Sequence, residues 1–202
     1  MQVFEPGGSY TFSKIFDLKI IAQDLVKEFG YTLTRKRLNL PQYSGELDRI
    51  EQLRDRIEET LPHVSLSTEM ARREILISPV MIDLIHYTKA EMRIEYPIKV
   101  TEQLQGSLDY FLTSHQQLLI IEAKREDLDF GFSQLAAQLI AMDQWATDNP
   151  SDVLIGAVTT GKLWEFGRLN RRQKHLEQGL DSYRVPDDLD ALMRILIQAL
   201  VS

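Results

Sequence analysis

Residues 106–126, GSLDYFLTSHQQLLIIEAKRE, decide how this chain folds. Two apolar runs flank a polar centre, the pattern of a β-hairpin. A turn over residues 114–117 centres the hairpin between His115 and Gln116. In that register Asp109 stands opposite Glu122, and Ser107 opposite Lys124. Opposed residues project to the same side of a sheet, and side chains alternate along each strand with period two. Asp109, Glu122 and Lys124 therefore share one face. Leu108, Tyr110, Leu112, Leu119, Ile121 and Ala123 share the other, which is wholly apolar and suited to packing on a helix.

Opposed side chains in an antiparallel pair start about 4.5–5.5 Å apart, and like charges so placed repel. Two facing carboxylates have three forms of relief. One keeps its proton through a raised pKa. Lys124, diagonal to Asp109, neutralises one of them. Or a hard cation sits between them, for which oxygen ligands from two strands, a backbone carbonyl and waters suit Mg²⁺. The same trio is also compatible with nothing more than a partly solvated ion network. A one-residue slip in the turn would set Asp109 opposite Ala123 and dissolve the cluster.

Outward from the hairpin, MRIEYPIKV (92–100) reads as a preceding strand. DFGFSQLAAQLIAMDQWA (129–146) returns to helical spacing, and DVLIGAVT (152–159) is a continuous apolar run of the kind found in buried strands. KLWEFGRL (162–169) alternates as a further strand. The spacing of VPDDLDALMRILIQALV (185–201) predicts an amphipathic helix with Asp187 and Asp188 in its first turn, where the helix dipole favours acids. Upstream, residues 12–29 have helical spacing and Gly30 is a stop signal. YTLTRKRLNLPQ (31–42) is extended and ended by Pro41. Residues 46–61 form a charged amphipathic helix with Leu47, Ile50, Leu53 and Ile57 on its apolar stripe. The next helix is capped by Ser67 or Thr68, turns Met70, Ile77, Met81 and Leu84 inward, and is kinked or split by Pro79. The expectation is one α/β domain over residues 1–202 around a mixed sheet. It comprises a helical N-terminal extension (1–66), a core (67–170) and a C-terminal loop and helix (171–202).

The 202 residues are 44% hydrophobic and 26% charged, which suits a single globular core without covalent staples. The absence of cysteine excludes disulfides, thiolate metal sites and a cysteine nucleophile, and fits a reducing, cytoplasmic location. The sequence MQVFEPGGSY lacks the basic flank and apolar run of a signal peptide, and no apolar run is long enough to span a bilayer, so no membrane association is expected. A formal charge of −7 means that any polyanion must be met by a local basic patch or through a metal.

The residues LDYFL…IIEAK resemble the D…(D/E)XK signature of the PD-(D/E)XK nuclease superfamily. The resemblance implies a restriction-endonuclease-like core. In it Asp109 and Glu122 hold Mg²⁺ (or Mn²⁺), the carbonyl of Ala123 adds a ligand, and Lys124 assists the attacking water. STEMARREILISPVM is similar to the helix that carries a further glutamate in the N-terminal nuclease domains of type I restriction enzyme subunits; Glu69, then Glu74, takes that role. GFSQLAAQL offers Gln134, and one turn on Gln138, for the glutamine that many members place after the lysine. IGAVTTGKLWEFGRL is similar to the strand–turn–strand that closes those domains. The resemblance covers residues 67–169; Leu108 stands where the motif's proline would be, and residues before about 60 match nothing comparable. What it implies is a nuclease acting on nucleic acid, DNA ahead of RNA. The alternative is an inactive nuclease-fold module that binds nucleic acid or a protein partner. ATP-driven restriction by this chain is not expected, since no helicase motor follows. The helix over 46–61 or the C-terminal helix could pair with a second copy of the chain.

GAVTTGKL (156–163) nearly spells a P-loop, but Leu163 stands where a hydroxyl must meet Mg²⁺, and a strand follows where a helix must start. A tight turn at 159–161 is expected instead, with Trp164 and Phe166 packing rather than stacking on bases. The histidines (His63, His86, His115, His175) are scattered, and none has metal or triad spacing. Two basic stretches, with Arg35, Lys36 and Arg37 in one and Arg168, Arg171, Arg172 and Lys174 in the other, are either solvated loops or phosphate contacts; Arg125 borders the predicted site.

Overall fold

The computed structural model describes all residues except 1, 2, 6, 115, 116, 125, 150 and 202. Seven strands form a single mixed sheet: β1 (Thr32–Lys36), β2 (Glu91–Thr101), β3 (Leu104–Ser114), β4 (Gln117–Ala123), β5 (Val153–Thr159), β6 (Leu163–Asn170) and β7 (His175–Arg184). Their order across the sheet is β1-β7-β6-β5-β4-β3-β2. The pairs β1–β7 and β4–β5 are parallel and the others antiparallel. A parallel neighbour needs a crossover. Helix α6 (Leu128–Trp145) supplies it between β4 and β5.

Helices cover both faces. Alternation along the central hairpin sorts them. Tyr110, Leu112, Leu119 and Ile121 pack with α3 (Ile50–Thr60), α5 (Ser78–Thr88) and α7 (Leu189–Val201). Phe111 and Ile120 pack with α1 (Phe12–Asp17), α2 (Ala22–Glu28) and α6. Residues 131–142 of α6 are all buried, as expected of a helix that is apolar on most sides. From Ser114–Gln117 to Tyr110–Ile121 the hairpin adopts the register read from the sequence, but the ladder stops there, and the expected pairs Asp109–Glu122 and Ser107–Lys124 are not part of it. His115 and Gln116, the expected turn centre, lie outside the described residues.

Several expectations are corrected. Leu108 leaves the face of Tyr110 and joins the opposite cluster. Across from this point Glu95, between the pairs Ile94–Tyr110 and Tyr96–Leu108, has a left-handed backbone (φ 52°) that breaks the pleat of β2. The single helix expected over 12–29 is two, divided where Lys19 turns left-handed (φ 52°); Gly30 does end the second (φ 78°). Thr68 caps α4 (Glu69–Arg72), its hydroxyl accepting from the Ala71 amide. A π-helical turn, Arg73–Ile77, separates α4 from α5, so Pro79 acts by widening the turn before it, where its ring would crowd the preceding carbonyl. The inserted residue shifts the helix phase. Met70 is therefore 73% exposed, while Ile77, Met81 and Leu84 are buried as expected. Residues 175–184, expected as loop, form β7, and β1 joins the sheet from within the stretch expected as a helical extension. Asp187 and Asp188 precede α7 rather than occupying its first turn.

Candidate functional site

Strands β3 and β4 end on a cavity of about 850 Å³. Its walls include Phe16 and Asp17 from α1, Glu69 and Arg73 from the broken helix, Glu95 from β2, Asp109 from β3, Glu122 and Lys124 from β4 and its end, and Gln134 from α6. All five side chains singled out in the sequence, Glu69, Asp109, Glu122, Lys124 and Gln134, meet here. Glu74 is exposed on the broken helix and does not line the cavity, which separates it from Glu69.

Glu122 lies on the floor with 1% of its surface exposed. Its Oε1 meets the Lys124 ammonium at 2.6 Å and accepts from Gln134 Nε2 at 2.5 Å. Its Oε2 accepts from Gln138 Nε2 at 2.5 Å. Both glutamines therefore serve one carboxyl group, while their Oε1 atoms are buried and have no partner among the described residues. Burial first, then the charge of Asp109, pushes the Glu122 pKa up to about 8; Lys124 and Gln138 pull it down without prevailing.

Asp109 is held differently. Its Oδ2 accepts from the Ala123 amide at 2.8 Å, a bond that locks the two strands together at the site. Its Oδ1 is 3.7 Å from Arg73 Nη1. Arg73 donates from Nη1 to Glu95 Oε1 at 2.6 Å and from Nε to Tyr110 Oη at 3.4 Å, and its guanidinium sits 5.1 Å from the centre of the Tyr110 ring. Burial opposes its charge, but these hydrogen bonds and Asp109 raise its pKa further above the usual value. Lys124 is steadied by its amide donating to the Thr159 carbonyl at 2.7 Å and by its ammonium lying 4.7 Å from the Phe16 ring centre. Gly131, in the opening turns of α6, lets the helix press on this lysine: a Cβ there would come 3.1 Å from Lys124 Cγ and 2.7 Å from Val158 Cγ2.

Arg73 and Glu95 were not anticipated. Arg73 stands one turn beyond Glu69, a spacing that would have found it; the left-handed Glu95 left no trace in the sequence pattern. The basic stretches lie away from the cavity lining and are paired internally. Arg35 meets Asp129, Arg37 meets Asp181, Arg172 meets Asp152, and Lys36 and Arg168 both hold Glu177. Arg171 pairs with Asp143 and donates to the carbonyls of Asp143, Ala146, Asn149 and Ser151, fastening the end of α6 to the following loop. Arg125 lies outside the described residues. Thr159–Gly161 make the expected tight turn between antiparallel β5 and β6 (Gly161 φ 82°), and Trp164 and Phe166 are buried.

Among the described residues no three His, Cys, Asp or Glu side chains cluster closely enough to hold a metal by themselves. The donor chemistry still fits a magnesium ion, which takes one or two carboxylates and keeps several waters. Among the described residues, Asp109 Oδ1 has Arg73 Nη1 at 3.7 Å as its ion-pair partner and Glu122 Oε2 accepts from Gln138, which leaves that oxygen a lone pair. A scan against protein-family models and a search of curated proteins returned no match. Among the described residues no helix is long and apolar enough to cross a membrane.

Proposed function

We propose that this chain is a Mg²⁺-dependent nuclease of the PD-(D/E)XK kind, with a restriction-endonuclease-like core, that hydrolyses phosphodiester bonds of DNA. Mn²⁺ would serve in place of Mg²⁺. The observation that carries the reading is the convergence of Asp109, Glu122 and Lys124 at one cavity that Glu69 and Gln134 also line. The bound cation would supply charge neutralisation at the phosphate and a more acidic water. Asp109, Glu122 and the Ala123 carbonyl would hold it. Lys124 keeps N–H donors beyond the one given to Glu122, and these orient the attacking water or meet developing negative charge. Gln134 fixes the Glu122 oxygen that Lys124 also grips, so it positions the lysine through that shared atom. Glu69 adds a further acid at the rim.

A second reading, an inactive module that binds nucleic acid or a protein, draws on the three donors that already satisfy Glu122. Cleavage of plasmid and oligonucleotide DNA with Mg²⁺ or Mn²⁺ separates the two. Asp109→Ala and Lys124→Ala should each lower the cutting rate by about a hundredfold or more in a folded protein. Cutting that survives both changes, or a pure preparation inert on every form of nucleic acid, removes the enzyme reading. Binding without cutting favours the module.

A further inference from the structure

The cavity that would receive a phosphodiester is rich in carboxylates, and among the described residues only Arg73 and Lys124 bring positive charge to its lining. The ammonium of Lys124 is committed to Glu122 at 2.6 Å. Arg73 is placed for a different task. Its Nη1 is anchored by Glu95 at 2.6 Å, its Nε faces Tyr110 Oη at 3.4 Å, and its plane rests near the Tyr110 ring. Its Nη2 has no partner among the described residues. Two departures from regular backbone converge on this guanidinium: the π-helical turn that begins at Arg73, and the left-handed Glu95 that reaches it from β2. Residues other than glycine rarely adopt such a backbone.

We propose that Arg73 is the phosphate contact of this site, its guanidinium receiving a non-bridging oxygen of the nucleic-acid backbone beside Asp109 and Glu122. The inference rests on the nuclease reading and names the residue that selects an anionic substrate within an acidic cavity. A guanidinium suits this role because its planar fork matches phosphate oxygens and its charge is permanent. Glu95 and Tyr110 hold the fork in place, so little side-chain freedom is lost on binding.

The test is binding of a fluorescein-labelled DNA oligonucleotide, single-stranded and duplex, followed by anisotropy across a range of salt. Ca²⁺ replaces Mg²⁺ so that binding is read apart from cutting. Arg73→Gln should weaken binding by roughly ten- to a hundredfold. It should also lower the slope of log affinity against log salt by about one, which loss of a purely structural ion pair would not do. Arg73→Lys should keep the slope while losing affinity, because a point charge replaces a fork. It is also the variant to use should Arg73→Gln not fold. Wild-type affinity and slope in folded Arg73→Gln, or unchanged affinity in Arg73→Lys, overturns the proposal. If wild type cuts DNA while Arg73→Gln binds normally, only this inference falls. If wild type neither binds nor cuts nucleic acid, the nuclease reading falls with it.

Discussion

Glu122 and Glu177 are both buried glutamates on strands of one sheet, and both accept from cationic side chains, yet their acidities move in opposite directions. Glu177 on β7 is desolvated, but Lys36 and Arg168 grip both of its oxygens and hold its pKa below the usual value. Two cations serve one acid there. Glu122 on β4 is more deeply buried, has one cation among the described residues, and faces a second carboxylate. Burial and Asp109 push it up to about 8. The first cluster is a closed structural joint between β1, β6 and β7. The second is short of positive charge, and such a deficit invites a ligand that brings charge with it. Perturbed acids in a cavity mark functional sites more often than paired acids at a strand joint do.

Three measurements break or sharpen this contrast. The largest difference is expected in cleavage. Glu122→Gln should cost about a hundredfold or more in rate, whereas Glu177→Gln should cut at the wild-type rate. Equal losses from the two changes would erase the distinction between site and joint.

Stability should show the reverse. Glu177→Gln is expected to cost about 1–2 kcal/mol, moderated by the partial exposure of Lys36 and Arg168. Because its folded pKa is lowered, that contribution is present above pH 4.5 and fades as pH falls through the folded value. Glu122 has the opposite sign. The folded chain holds its proton more tightly than the unfolded chain, so its contribution is complete below pH 4.5 and is lost as pH rises through about 8. In the presence of a chelator, the Tm of Glu122→Gln should therefore gain on wild type across that window. A difference that is flat with pH would show that the carboxyl is not held protonated.

The smallest effect is expected at Gln138, whose bond to Glu122 Oε2 lowers that pKa. Gln138→Leu should change stability by less than about 1 kcal/mol, since apolar packing replaces an amide whose own oxygen is unpaired. It should also move the acid limb of the cleavage profile to higher pH. An unmoved limb would mean that Glu122 does not set it.

The contrast also explains what could be read from the sequence. The hairpin register was legible from Tyr110 to Ile121 because both strands keep period two there and the apolar face carries Tyr110, Leu112, Leu119 and Ile121 without interruption. Carrying that register past the end of the ladder placed Asp109, Glu122 and Lys124 on one side, the family resemblance supplied Gln134 and Gln138, and Asp109, Glu122, Lys124 and Gln134 line one cavity. Strand β7 was not legible. Two of its buried positions hold Glu177 and Gln178, so its interior reads as polar until Lys36 and Arg168 arrive from elsewhere in the chain. The division of residues 12–29 turns on Lys19 adopting a left-handed backbone, with no glycine or proline to announce it. Met70 lost its inward place because one extra residue in a π-helical turn rotates everything before it. Glu95 belongs to the site for the same kind of reason: a left-handed backbone turns it there, and periodicity does not report irregular backbone, whereas the four-residue spacing of Arg73 from Glu69 was there to be read.

The near-contact between Gly131 and the stem of Lys124 has a consequence for how this chain can vary. The lysine and a residue with no side chain, seven positions downstream, act as a single steric unit. Exchanging the glycine for alanine forces the helix, the Val158 side chain or the lysine stem to shift, because the new methyl would stand 2.7 Å from Val158 Cγ2 and 3.1 Å from Lys124 Cγ. Homologues that retain the basic residue should therefore also retain the vacancy beside it. Those that fill the vacancy should have re-seated the helix, trimmed the side chain at 158 or given up the ammonium group.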